Sequence, residues 1–211
     1  MKLDGQNLRC VRGGRVVFDE VSFTAEAGRA LLVRGRNGAG KSSLLRLIAG
    51  LIRKDRGTLV LDGGDPELDL PAQCHYFGHQ DALKSALTVT ESLTFWQDFF
   101  GNPLVSVSEA LEKVDLAHLA NLPAGYLSAG QRRRLSLARL LISKRPVWLM
   151  DEPTSALDAA SEARLVDLMR EHLADDGLII AATHLPIPLE EADVLEISGV
   201  QSVSADEWVL A

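Results

Sequence analysis

Residues 35–42 read Gly-Arg-Asn-Gly-Ala-Gly-Lys-Ser, which fits the spacing GxxxxGK followed by Ser or Thr. Upstream, Arg29-Ala30-Leu31-Leu32-Val33 is a short apolar run suited to a buried strand. Downstream, Ser43-Leu44-Leu45-Arg46-Leu47-Ile48-Ala49 places apolar residues at helical spacing, and Gly50 is positioned to end the helix. Strand, glycine loop and helix in this order predict a phosphate-binding loop. Gly35, Gly38 and Gly40 permit turns that aim successive N–H groups inward, and the helix N-terminus adds a partial positive charge. Arg36, Asn37, Ala39 and Ser43 complete the expected cradle. Lys41 is expected to reach the β- and γ-phosphates of a bound nucleotide, and Ser42 to ligate Mg²⁺.

A second apolar run, Val147-Trp148-Leu149-Met150, ends in Asp151-Glu152-Pro153, 110 positions after Lys41. Adjacent carboxylates at the end of a buried strand are costly without a cation or a proton to accommodate them. A nucleotide site explains both: Asp151 holds Mg²⁺ and Glu152 polarises the attacking water. Between the two runs stands Leu127-Ser128-Ala129-Gly130-Gln131, in which Ser128 reads as the N-cap of a helix over Gln131–Ile142.

With these segments the chain resembles the ATP-binding-cassette (ABC) ATPase family, whose signature LSGGQ stands here as LSAGQ. The resemblance spans nearly the whole chain. It implies an α/β fold: a P-loop NTPase core of RecA type with an N-terminal antiparallel β-subdomain and a helical insertion near residues 88–145, all one domain over 1–211. It also implies that Gln80 is the Q-loop glutamine and a further Mg²⁺ ligand, and that Ser155, Ala156, Leu157 and Asp158 form the D-loop. His184 takes the switch position, acting with Glu152 and Lys41 in ATP hydrolysis. Ser128, Ala129, Gly130 and Gln131 would cap the γ-phosphate held by a second ATPase subunit, closed head to tail as a homodimer. Arg12 occupies the place where many members stack an aromatic ring on adenine; a guanidinium can stack there too.

Within the family the chain is most similar to the ATP-binding subunit of cytochrome c maturation (haem exporter) complexes. That likeness rests on Gly78-His79-Gln80, Leu83-Lys84, Leu87-Thr88, Glu91-Ser92-Leu93 and the run from Leu127 through Arg132-Arg133-Arg134. It implies separate membrane-spanning subunits, docked near Asp81–Leu93, and a peripheral place on the cytoplasmic face of the cell membrane. The work done would be haem export or release of a haem chaperone. The alternatives are an ABC transporter for another substrate, or a non-transport ABC ATPase.

Composition agrees with this frame. The chain has 211 residues, 46% of them apolar and 24% charged, and no run approaches the ~20 apolar residues that a membrane-spanning helix needs. Net charge is −7, but residues 1–56 carry 12 Lys/Arg against 5 Asp/Glu, so basic character gathers around the phosphate loop. An acidic chain without a broad basic face is not expected to bind nucleic acid. Cys10 and Cys74 lie far apart and read as buried thiols, in keeping with a reducing compartment.

The remaining elements are expected as follows. An antiparallel meander runs through Leu8–Val11, Gly13-Gly14, Val16–Phe18 and Val21–Phe23, and further strands cover Gly57–Asp62, Gln73–Phe77 and Leu178–Ala182. A helix spans 159–174. The cluster Leu93, Phe95, Trp96, Phe99 and Phe100 is expected to form the core of the helical subdomain. His75, His118 and His172 read as core or surface histidines, and His79 is left open.

Overall fold

The computed structural model describes residues 1–78, 80–155, 157–190 and 192–199. Strands β1 (Lys2–Arg12) and β2 (Arg15–Glu26) form a long hairpin, and β4 (Arg56–Asp62) pairs antiparallel with the other edge of β1. The hairpin turns on Gly13 and Gly14, both at positive φ (55° and 77°), as a two-residue loop requires. β1 buries Leu3 and Gly5, then Leu8 and Cys10. The period of two is broken once, between Gly5 and Leu8, where the pairing shifts and Asn7 takes φ 50°. That bulge returns Leu8 to the core side, and the expected short runs Val16–Phe18 and Val21–Phe23 lie in the single strand β2.

The second sheet is parallel, ordered β5 (Cys74–Phe77), β6 (Val147–Asp151), β7 (Leu178–Ala182), β3 (Ala30–Arg34) and β8 (Ala192–Glu196). Every residue of β6 and β7 is buried, which is why these segments read as unbroken apolar runs instead of alternating ones. On one side lies α1 (Lys41–Ile48), whose Leu44, Leu45 and Ile48 pack with Leu3, Phe18 and Val33. On the other, α5 (Ala159–Ala174) contributes Leu165, Val166 and Met169 to a second cluster. That cluster continues into α2 (Val89–Phe100), α3 (Val107–Lys113) and α4 (Ala129–Ala138), all inserted between β5 and β6.

Two expectations need correcting. α4 ends at Ala138, four residues early, and Leu140, Leu141 and Ile142 are buried without being helical. In α2 only part of the aromatic cluster is core. Val89, Leu93, Trp96 and Phe100 recur at helical spacing along the inward stripe, with Leu93 fully buried. Phe95 and Phe99 lie on the flank, 43% and 69% exposed, stacked on each other with centroids 6.3 Å apart. Cys10 and Cys74 are buried free thiols, and burial pushes the Cys74 thiol up to about 12. Among the described residues no helix is long and apolar enough to cross a membrane.

Candidate functional site

Sheet order assembles the site. β7 lies between β3 and β6, with Val33 and Asp151 both paired with Ala182. The Glu152 amide donates to the Ala182 carbonyl at 2.9 Å, and the Thr183 amide to Val33 at 3.2 Å. Residues 35–42, 151–152 and 183–184 therefore leave the sheet at one level, at the carboxyl ends of its strands, where open α/β sheets place ligands.

The loop after β3 closes on Gly40, at φ 104°, directly before α1. A Cβ there would meet Val17 and Phe18 at 2.8 and 2.9 Å, so only glycine fits both backbone and space. No side chain caps α1, and its first amides are free to face the adjoining cavity. That cavity, about 280 Å³, is lined by Val17, Asn37, Gly38, Gly40, Lys41, Ser42, Ser43 and Glu152. Lys41 is 7% exposed, and its Nζ donates to the Gly35 carbonyl at 2.8 Å and to Arg36 at 3.4 Å.

Ser42 Oγ donates to Asp151 Oδ1 at 2.8 Å, and Tyr76 Oη to Asp151 Oδ2 at 3.2 Å. Arg46 Nε in turn donates to Tyr76 at 3.2 Å. Asp151 is 3% exposed and, among the described residues, its carboxylate forms no ion pair, only these two hydroxyl contacts. A buried carboxylate beside a serine hydroxyl is a hard-oxygen pair that fits Mg²⁺, whose other ligands are ordinarily phosphate oxygens and water. Among the described residues no group of three or more Asp, Glu, His or Cys side chains is arranged to hold a metal ion.

Glu152 adopts φ 48°, and its Oε2 accepts from His184 Nδ1 at 2.8 Å. One carboxylate at the end of β6 is thus sealed in with Ser42, while its neighbour reaches outward toward the cavity and His184.

Other expected residues sit elsewhere. Arg12 is exposed, paired across the hairpin with Arg15, and it is Val17 that lines the cavity. Gln80 is exposed and lines a neighbouring cavity of about 500 Å³ with Arg46, Tyr76 and Arg139. Ser128 caps α4 in a capping box: its Oγ accepts from the Gln131 amide at 3.2 Å, and Gln131 Oε1 accepts from the Ser128 amide at 2.8 Å. Ser128 and Ala129 are exposed, and none of residues 128–131 lines the cavity at Lys41. Asp158 caps α5, accepting from the Ser161 amide at 2.8 Å, which holds its carboxyl below the usual range. Ser155 and Leu157 are partly buried; Ala156, like His79, lies outside the described residues.

Sequence reasoning passed over Tyr76 and Arg133. Tyr76 sits in a short strand with no pattern to single it out. Arg133 stands in the run Arg132-Arg133-Arg134, which entered only as part of the family likeness. Its signal is position: it precedes buried Ser136 and Leu137 by three and four residues, on the inward side of α4. His75 and His172 are structural: burial holds their imidazoles down to about 3 and about 4, and His172 stacks on Trp148 at 4.0 Å.

Comparison with known proteins agrees with this arrangement. The ABC transporter family matches residues 18–155. A cytochrome c biogenesis ATP-binding export protein from Nitrobacter winogradskyi is 58% identical, over 94% of this chain and 99% of its own. Its namesake from Bradyrhizobium diazoefficiens is also 58% identical, over 95% and 100%. Among solved structures, an ABC transporter (ATP-binding protein) from Pyrococcus furiosus superposes with a TM-score of 0.80 at 22% identity, covering 93% of this chain and 98% of that one, which establishes the shared fold. The chain belongs to the ABC transporter family, as an ATP-binding subunit in the group that holds the cytochrome c biogenesis ATP-binding export proteins.

Proposed function

We propose that this chain hydrolyses ATP to drive a membrane complex of cytochrome c biogenesis that exports haem or releases it on its chaperone. The observation that carries the reading is the meeting, at one strand edge, of the Ser42–Asp151 pair with Glu152, Lys41 and the open N-terminus of α1. The loop amides and Lys41 hold the phosphates; Ser42 and Asp151 would hold Mg²⁺, which supplies charge neutralisation when bound. Glu152 orients and deprotonates the attacking water, and His184 fixes the glutamate carboxylate through their 2.8 Å contact. Ser128–Gln131, at the start of α4 with Ser128 and Ala129 exposed, meet the ATP held by a second copy. Membrane subunits dock beside the Q-loop, which places the chain peripherally on the cytoplasmic face. There Leu83 and Leu87 are partly buried and Leu93 wholly so, leaving Lys84 and its neighbours to meet a partner. Arg12 would have to swing toward the cavity to stack on adenine.

The test is genetic and biochemical together. In a bacterium lacking its own ATP-binding subunit of this system, the full chain should restore cytochrome c maturation and co-purify with the membrane subunits. Lys41→Ala should assemble with them yet leave maturation at the deletion level. Restoration by Lys41→Ala equal to wild type would contradict the proposal.

A further inference from the structure

Arg133 lies in the second turn of α4, the helix that Ser128 caps, and is 4% exposed. Its guanidinium carbon stands 3.8 Å over the Phe77 ring. Nη1 donates to the Gly78 carbonyl at 2.6 Å; Nη2 donates to the Glu152 carbonyl at 2.9 Å and, less closely, to Asp151 at 3.4 Å. The nearest carboxylate, Asp81, is 3.8 Å away, and Nε has no partner. A buried cation held mainly by backbone carbonyls is an expensive way to fill a core, since an apolar side chain would avoid the desolvation. What the guanidinium adds is a fixed grip on three carbonyls from two other segments.

One of those carbonyls belongs to the strained residue of the site. Glu152 takes φ 48°, a left-handed conformation that disfavours a glutamate unless its surroundings enforce it. Its amide is held by Ala182, and its carbonyl accepts from Arg133 and from the Ser155 amide at 3.1 Å. We propose that Arg133 is a positioning residue for Glu152: its clamp on the Glu152 carbonyl enforces the backbone that aims the carboxylate at His184 and the phosphate cavity. The same side chain joins the helix of the signature segment to the catalytic edge of its own subunit. This inference rests on Glu152 acting as the base.

The experiment is a double-mutant cycle on the full chain, with wild type, Arg133→Met, Glu152→Gln and the double variant. Single-turnover rates and ATP affinity are measured for each, with a thermal melt. Arg133→Met should lower the hydrolysis rate about tenfold or more with ATP affinity changed less than about twofold, and in the Glu152→Gln background it should change the residual rate less than about twofold. Arg133→Lys, able to reach fewer carbonyls, should recover part of the rate. Equal losses in both backgrounds, or weakened ATP binding with the rate kept, would overturn the inference. If Arg133→Met melts below assay temperature, Arg133→Lys in the same cycle gives the same reading. Wild-type turnover by Glu152→Gln refutes the base assignment itself; an inactive Glu152→Gln with a fully active Arg133→Met refutes Arg133 alone.

Discussion

Adjacent side chains at the end of β6 show how position divides labour between like residues. Asp151 points back into the protein, sealed against Ser42 and Tyr76, whereas the left-handed backbone of Glu152 sends its carboxylate toward His184. The Asp-Glu pair stood out in the sequence, because two carboxylates closing an apolar run are costly without a cation or a proton to accommodate them. Tyr76, which fixes the second oxygen of Asp151, did not, since a tyrosine in a strand is ordinary. His75 carries a different consequence at this scale. It is 3% exposed, bonded through Nε2 to the Ser143 carbonyl at 2.9 Å, and burial pulls its pKa from 6.5 to about 3, with Arg145 and Arg139 acting in the same direction. The unfolded chain takes up a proton as pH falls through 6.5 and the folded chain does not. Stability is therefore whole above pH 6.5 and declines from there toward pH 3, by about 2 kcal/mol at pH 5 from this residue. Thermal melts from pH 7.5 to 5 should show a shallower fall for His75→Gln than for wild type; parallel curves would contradict the assignment.

Among the elements, the ones that were legible owe their form to local pattern: β3, β6 and β7 as apolar runs, α5 over 159–174, and the glycine loop before α1. The ones that departed are set by partners distant in sequence. Beyond α4, which stops at Ala138, Ser143 bridges to Pro103, and Phe95 and Phe99 fall outside the stripe that faces α3 and α4. Four aromatic rings each carry a cation: Arg133 on Phe77, Arg139 on Trp96, Arg145 on Phe100 and Lys84 on Phe95. No local periodicity announces such pairs. The start of α4 allows capping and phosphate contact to be separated. Ser128→Asp keeps an N-cap acceptor, so the melting temperature should stay near wild type, whereas Ser128→Ala should cost about 1 kcal/mol. The new carboxylate would repel a partner's γ-phosphate, so ATP hydrolysis by Ser128→Asp should fall at least tenfold, roughly 1.4 kcal/mol or more of lost transition-state stabilisation. A stable Ser128→Asp protein with wild-type turnover would mean that this helix end meets no phosphate.

For the whole molecule, the decisive fact is strand order: with β7 between β3 and β6, the phosphate loop, both carboxylates and His184 share one edge. The signature helix begins on exposed Ser128 and lines no part of that cavity, so the trans reading asks a second copy to complete the site. Lys41→Ala and Ser128→Arg proteins, each inactive alone, should regain part of the wild-type hydrolysis when mixed, through a heterodimer holding one intact loop opposite one intact signature. Mixtures as inactive as their components, despite proven association, would count against it. Hydrolysis turns on Glu152 acting on ATP that the phosphate loop has bound, so ATP hydrolysis and ATP binding are to be measured together on the full chain carrying Glu152→Gln. Turnover should fall by about 10²–10⁴-fold, roughly 3–5 kcal/mol in barrier height, with ATP bound as in wild type; undiminished turnover would remove Glu152 from the reaction.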